Sequence, residues 1–61
     1  MKTRELIRIV EKDGWYRFGS EGEIRQFKHT LKMGIITISG RAHGLLAHNS
    51  INNILDKAGL R

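Results

Sequence analysis

Three histidines, His29, His43 and His48, are the side chains best suited to moving a proton near neutral pH, and they stand among six scattered acids, Glu5, Glu11, Asp13, Glu21, Glu23 and Asp56. A positioned imidazole acting as general base or acid contributes roughly 10²–10⁴-fold to a rate. Metal chemistry is disfavoured, because His43 and His48 lie on one loop with no thiolate or carboxylate close by. His48 also falls near an expected helix N-terminus, where the dipole opposes an imidazolium and so a phosphate contact. Ser20, Ser39 and Ser50 sit in no recognisable nucleophile context. Gly19-x-x-Gly22 lacks both the Lys-Ser/Thr and the strand-to-helix setting of a phosphate loop, so its glycines read as turn formers. The chemistry left open is acid–base work by an imidazole, or binding by cations.

Cations are plentiful. Eleven Lys and Arg against six Asp and Glu give a formal charge of +5 on 61 residues, which favours polyanionic partners. A chain of this length buries only about 60% of its unfolded surface and has room for one core, so residues 1–61 are expected to form a single domain. There is no Cys, hence no disulfide framework and no thiolate zinc site. No apolar run approaches the roughly 18 residues of a membrane span, and the first residues are charged and helix-patterned rather than signal-like. A cytoplasmic protein with no cofactor and no membrane contact is expected.

Five elements are needed to position these side chains. Thr3 is placed as the cap of a first helix with Glu5 in its first turn, an apolar stripe at Leu6, Ile9 and Val10, and Gly14 as its stop. Trp15-Tyr16-Arg17-Phe18 reads as a strand entering a turn at Gly19-Ser20-Glu21-Gly22, which makes a hairpin with residues 23–29. The β-branched run 35–39 forms a third strand after a turn at Leu31–Gly34. A last helix, capped by Asn49 or Ser50, buries Ile51, Ile54, Leu55 and Ala58 before Gly59. The order α-β-β-β-α predicts an α+β fold: a three-stranded antiparallel sheet with two helices on one face, the architecture of double-stranded-RNA-binding domains.

Period-two alternation then sorts the second strand. If Phe27 faces the helices, Arg25 and His29 share its side, and Ile24, Gln26 and Lys28 lie on the open face. His29 then reads as a structural or edge residue more readily than a catalytic one. By the same rule Ile36 and Ile38 are core, and Ile35, Thr37 and Ser39 point outward. Two isoleucines, Ile24 and Ile35, thus fall on a face expected to be polar, which is either tolerated exposure or an apolar contact surface. Arg17, Arg25, Gln26, Lys28, Lys32 and Arg41, on the sheet and its loops, are the candidate RNA contacts, since RNA helices are read mainly through shape, backbone and 2′-hydroxyls. Lys2, Arg4, Arg8 and Lys12 line the outer side of the first helix.

Several of these features, taken in order, resemble the HicA-type family of mRNA interferase toxins. They are the opening Thr-Arg-Glu-Leu-Ile, Gly14-Trp15-Tyr16, Gln26-Phe27-Lys28-His29, Gly34 before Ile36-Thr37-Ile38, Asn52-Asn53-Ile54-Leu55 and Ala58-Gly59-Leu60. The resemblance runs from Thr3 to Leu60. That family's second strand typically reads Gly-Ser-His-x-x-Phe/Tyr-x-His, and its first His is held to do the chemistry. Here Gly22 is followed by Glu23 in place of Ser and Ile24 in place of that His, while His29 matches the second. Ile35 also stands where a basic residue is common, and His48-Asn49 where Pro or Lys with Gly is usual.

The resemblance implies an RNA-binding protein of a type II toxin–antitoxin system, with a HicB-type antitoxin as partner and metal-independent mRNA endoribonuclease activity in the family at large. With Ile24 unable to carry a proton, that activity is expected to be weakened or lost. The alternative is a non-catalytic interaction module that binds an antitoxin or a second copy through the open face. A nuclease using His29 or a shifted register is the third reading. A monomer or weak homodimer is expected.

Overall fold

The computed structural model describes residues 1–61. The chain folds as α1 (Thr3–Lys12), β1 (Tyr16–Glu21), β2 (Ile24–Lys28), β3 (Ile36–Ser39) and α2 (His48–Lys57). The three strands form one antiparallel sheet in the order β1-β2-β3. Phe27, Ile36 and Ile38 point to one side of it and join Leu6, Ile7, Val10, Trp15, Ile51, Ile54 and Ala58 in a single core. Both helices therefore cover the same face, as the sequence predicts, and the other face stays open. No helix is long and apolar enough to cross a membrane.

The buried positions of α1 are Thr3, Leu6, Ile7 and Val10, spaced i, i+3, i+4, i+7 along one stripe. Ile9, expected in that stripe, is exposed, and Ile7 takes its place. What turns the helix this way is its first residue. Thr3 is not the cap but lies inside the helix, with Lys2 before it as the N-cap. Its backbone N–H donates to the Gly44 carbonyl at 2.9 Å and its Oγ1 to the same oxygen at 3.3 Å. Arg4 N–H donates to the Ala42 carbonyl at 3.0 Å, so a distant loop satisfies amides that a side-chain cap would otherwise serve. Glu5 accepts from the Lys2 N–H at 3.1 Å and completes the turn.

Both helices end alike. Gly14 N–H bonds the Glu11 carbonyl and Trp15 N–H that of Val10, and Gly59 N–H bonds Asp56 and Leu60 N–H bonds Leu55. These are paired Schellman closures with Gly in the left-handed position. The start of α2 departs from expectation: its N-cap is Ala47, whose side chain offers no acceptor, and Asn49 instead accepts from the Ser50 N–H at 2.9 Å inside the first turn.

The hairpin is tighter than the sequence suggests. Trp15 is buried just before β1 rather than in it, and β1 runs on to Glu21, which faces Ile24 across Gly22 and Glu23. Gly22 has φ +60° and no non-glycine residue has positive φ, the pattern of a two-residue II′ turn. A bulge between Arg17 and Gly19 leaves Phe18 without a partner on β2 and resets the alternation, so Gly19 and not Phe18 faces Gln26.

Gly14 is held by two constraints at once. Its φ is +110°, and a Cβ there would come within 2.8 Å of His29 Nε2. Gly22 shares only the first, with nothing within 4 Å of its would-be Cβ. Gly14→Ala is therefore expected to lower stability in urea unfolding by about 1–3 kcal/mol more than Gly22→Ala, the cost of overpacking added to that of backbone strain.

Candidate functional site

Strand pairing sets out the open face in rows. Tyr16 stands opposite Lys28, Gly19 opposite Gln26 opposite Thr37, and Glu21 opposite Ile24 opposite Ser39. Phe18, released by the bulge, lies with Lys28 Nζ 4.5 Å from its ring centroid. Ile35 precedes β3 on the same side, 48% exposed, and Ile24 is 49% exposed. Beside Ile24 is a shallow depression of about 240 Å³ lined by Gly19, Ser20, Glu21, Ile24 and Gln26. The face carries one cation, Lys28, one carboxylate, Glu21, and no imidazole.

His29 is elsewhere and fully engaged. It follows the last residue of β2, with only 7% of its side chain exposed. Its Nδ1 accepts from the backbone N–H of Leu31 at 3.0 Å and of Lys32 at 3.2 Å. Nε2 lies 2.8 Å from the Asp13 carbonyl, to which it must donate, so the ring is fixed as the neutral Nε2–H tautomer. Trp15 packs on it edge-to-face at 5.2 Å. His43 lies in the loop whose carbonyls cap α1, and His48 opens α2, both exposed.

The candidate RNA contacts divide by what already holds them. Arg25 Nη1 donates to the Gly40 carbonyl at 2.9 Å and to Glu23 at 3.2 Å, closing the hairpin end onto the end of β3. Lys32 Nζ donates to the Asp13 carboxylate and, at 2.9 Å, to the Ala58 carbonyl at the C-terminus of α2. Both are structural ties. Arg17 lies on the helix side of β1, 5.9 Å from the Phe27 ring centroid, and Arg41 Nε sits 3.5 Å from Glu23 Oε1 on a largely exposed side chain. Gln26 and Lys28 are the two that the sheet brings together beside Ile24. Tyr16 and Phe18, half-exposed on the same face, were not among the candidates, and the signal for Tyr16 is its cross-strand pairing with Lys28. No group of three or more His, Asp or Glu side chains is arranged to hold a metal ion.

A small α-β-β-β-α domain with one bare sheet face belongs to the class of double-stranded-RNA-binding-domain-like folds. The family model described as "HicA toxin of bacterial toxin-antitoxin" matches residues 3–60. The chain belongs to the HicA toxin family. Among solved structures it is similar to a chain of a "Toxin-Antitoxin complex from Streptococcus pneumoniae", with a TM-score of 0.80, 26% identity and 98% of each chain covered. No curated protein matches the chain.

The Lys32 hydrogen bond, reinforced by the Lys32 charge, holds the Asp13 carboxyl below its ordinary value of 3.8 despite opposing desolvation. A depressed folded pKa contributes stability that is complete above the unfolded value and is lost as pH falls through the folded one. Acid titration should therefore show wild type losing stability below about pH 4, with part of that loss absent in Lys32→Met. Equal acid slopes in the two proteins would show that Asp13 and Lys32 are not coupled.

Proposed function

We propose that this chain is an RNA-binding member of a bacterial toxin–antitoxin system that does not cut RNA by the metal-independent route. Ile24 carries this reading. Cleavage by the ribose 2′-hydroxyl needs a group to take its proton and a donor for the leaving oxygen, and an imidazole is the usual choice. A branched hydrocarbon occupies the central strand at that point, flanked by Glu21 and Ser39. Glu21 brings a negative charge to where a phosphate would sit. His29 has no free nitrogen to offer, because protonating Nδ1 would strip two backbone amides of their acceptor.

Binding is supported by the family match and by the cations not tied to the scaffold. Lys28 on the open face, with Gln26 beside it, and Arg17 and Arg41 at its margins can each meet a phosphate. The neighbouring structure is of a toxin–antitoxin complex, which supports an antitoxin partner here; that this partner is of the HicB type and that both act in the cytoplasm are parts of the same proposal. A second reading has its own observation. Tyr16, Phe18, Ile24 and Ile35 are each 42–49% exposed on a face whose two charges cancel, a composition suited to a protein partner.

Incubation with labelled single-stranded mRNA separates these. The protein should bind without cleaving, and affinity should fall with salt at a log–log slope of about −0.7 per phosphate contact. Lys28→Ala should remove about 0.7 from that slope. Ile24→His restores an imidazole to the open face and is the variant in which cleavage should appear. Cleavage by the parent sinks the proposal, and antitoxin binding without any RNA shift favours the second reading.

A further inference from the structure

The sheet has a second unoccupied surface, its β3 edge, and the phase of the ladder can be read there. Gly40 N–H donates to the Glu23 carbonyl at 3.1 Å, one step beyond the Ile24–Ser39 pair. Hydrogen-bonded and non-hydrogen-bonded pairs alternate along an antiparallel ladder. Arg25–Ile38 and Phe27–Ile36 are therefore the bonded pairs, and Thr37 and Ser39 turn their N–H and C=O groups away from β2. Since β3 ends the sheet, those four backbone groups meet no strand.

Alongside them runs α2. A groove of about 220 Å³ lies between the two, with Thr37 and Ser39 on one wall and Ser50, Asn53, Ile54 and Lys57 on the other. The helix residues follow i, i+3, i+4, i+7, so they form one stripe facing the strand edge. A bare edge beside a helix, spaced to admit side chains, is the geometry of recognition by strand addition. Only an extended polypeptide offers donors and acceptors at the repeat this edge requires.

Charge selects the occupant. Lys57 is the one charged residue lining the groove, and the chain carries +5 overall. A second copy would bring another +5 and a second Lys57 to the same place, which disfavours self-pairing. We propose that the β3–α2 groove takes an extended acidic segment of a partner protein as a fourth strand, with Thr37 and Ser39 making the main-chain pairs and Lys57 receiving a carboxylate. This surface adjoins the open face and shares Thr37 and Ser39 with it, but the contacts proposed are along the outer edge of β3, and the proposal stands whether or not RNA binds the face.

The test uses a fluorescein-labelled peptide of about eight residues alternating Val and Glu, and its Val–Lys counterpart, against the full chain. The acidic peptide should bind, the basic one should not, and the Thr37 and Ser39 amides should become slow to exchange by NMR. Thr37→Pro removes an N–H that β2 does not use and should abolish binding. Should that variant fail to fold, Lys57→Glu on the exposed helix should still weaken the acidic peptide at least about tenfold. No binding at about 1 mM overturns the proposal. So does binding without protection of those two amides, or their protection in the peptide-free protein through self-association.

Discussion

Everything on the helix side of the sheet is tied to one polar junction, at which the ends of both helices and the exit of β2 meet around His29. Its imidazole accepts two amides from the chain leaving β2 and faces the carbonyl of Asp13 at the end of α1. Lys32, positioned by that same turn, bridges the Asp13 carboxylate to the carbonyl of Ala58, the C-cap of α2. Buried polar groups of this kind are costly when unpaired, so each partner depends on the others. Gly14 belongs to the same arrangement, since only a residue without Cβ lets the backbone pass so close to the ring. Trp15 closes it from the core, with its indole N–H left without a partner.

This junction limits what the sequence's basic residues can do. Of the cations on the sheet and its loops, Lys32 and Arg25 are held in place by bonds to backbone carbonyls and a carboxylate. Removing either from its tie to reach a phosphate would expose groups that the fold needs satisfied. The electrostatic surface is therefore carried by fewer residues than the net charge implies: Lys28 on the open face, Arg17 and Arg41 at its margins, Lys57 on α2 and the outer side of α1. A charge count reads the total, and only the hydrogen-bond partners show how much of it is free.

The element order, the strand faces and the family were legible in the sequence because each rests on local pattern: β-branched alternation at 36–39, Gly after each helix, and the sequence landmarks from Thr3 to Leu60. The errors share a cause of another kind. Ile9 was preferred to Ile7, and Thr3 assigned as a cap, because both spacings are helical and the deciding bond runs from Thr3 to Gly44 across the fold. Asn49 or Ser50 was expected to start α2 on the rule that a polar side chain caps a helix, whereas Ala47 does so with none. The bulge at Phe18 leaves no mark in a period-two reading, and it is what places an aromatic ring beside Lys28.

Positions 24 and 29, on β2 and at its exit, differ in how much the fold asks of them. Position 29 is fixed by three backbone groups and a tryptophan, so the packing and hydrogen bonds of the fold are enough to account for an imidazole there. Position 24 lies in a non-hydrogen-bonded pair with Ser39 on the central strand, half-exposed beside an open depression, where no partner specifies the side chain. A β-branched residue suits such a site by strand preference alone. The fold thus constrains the side chain at 29 far more tightly than the one at 24. A change of side chain at Ile24 therefore falls where the fold leaves the choice free, and one at His29 falls where the fold makes it.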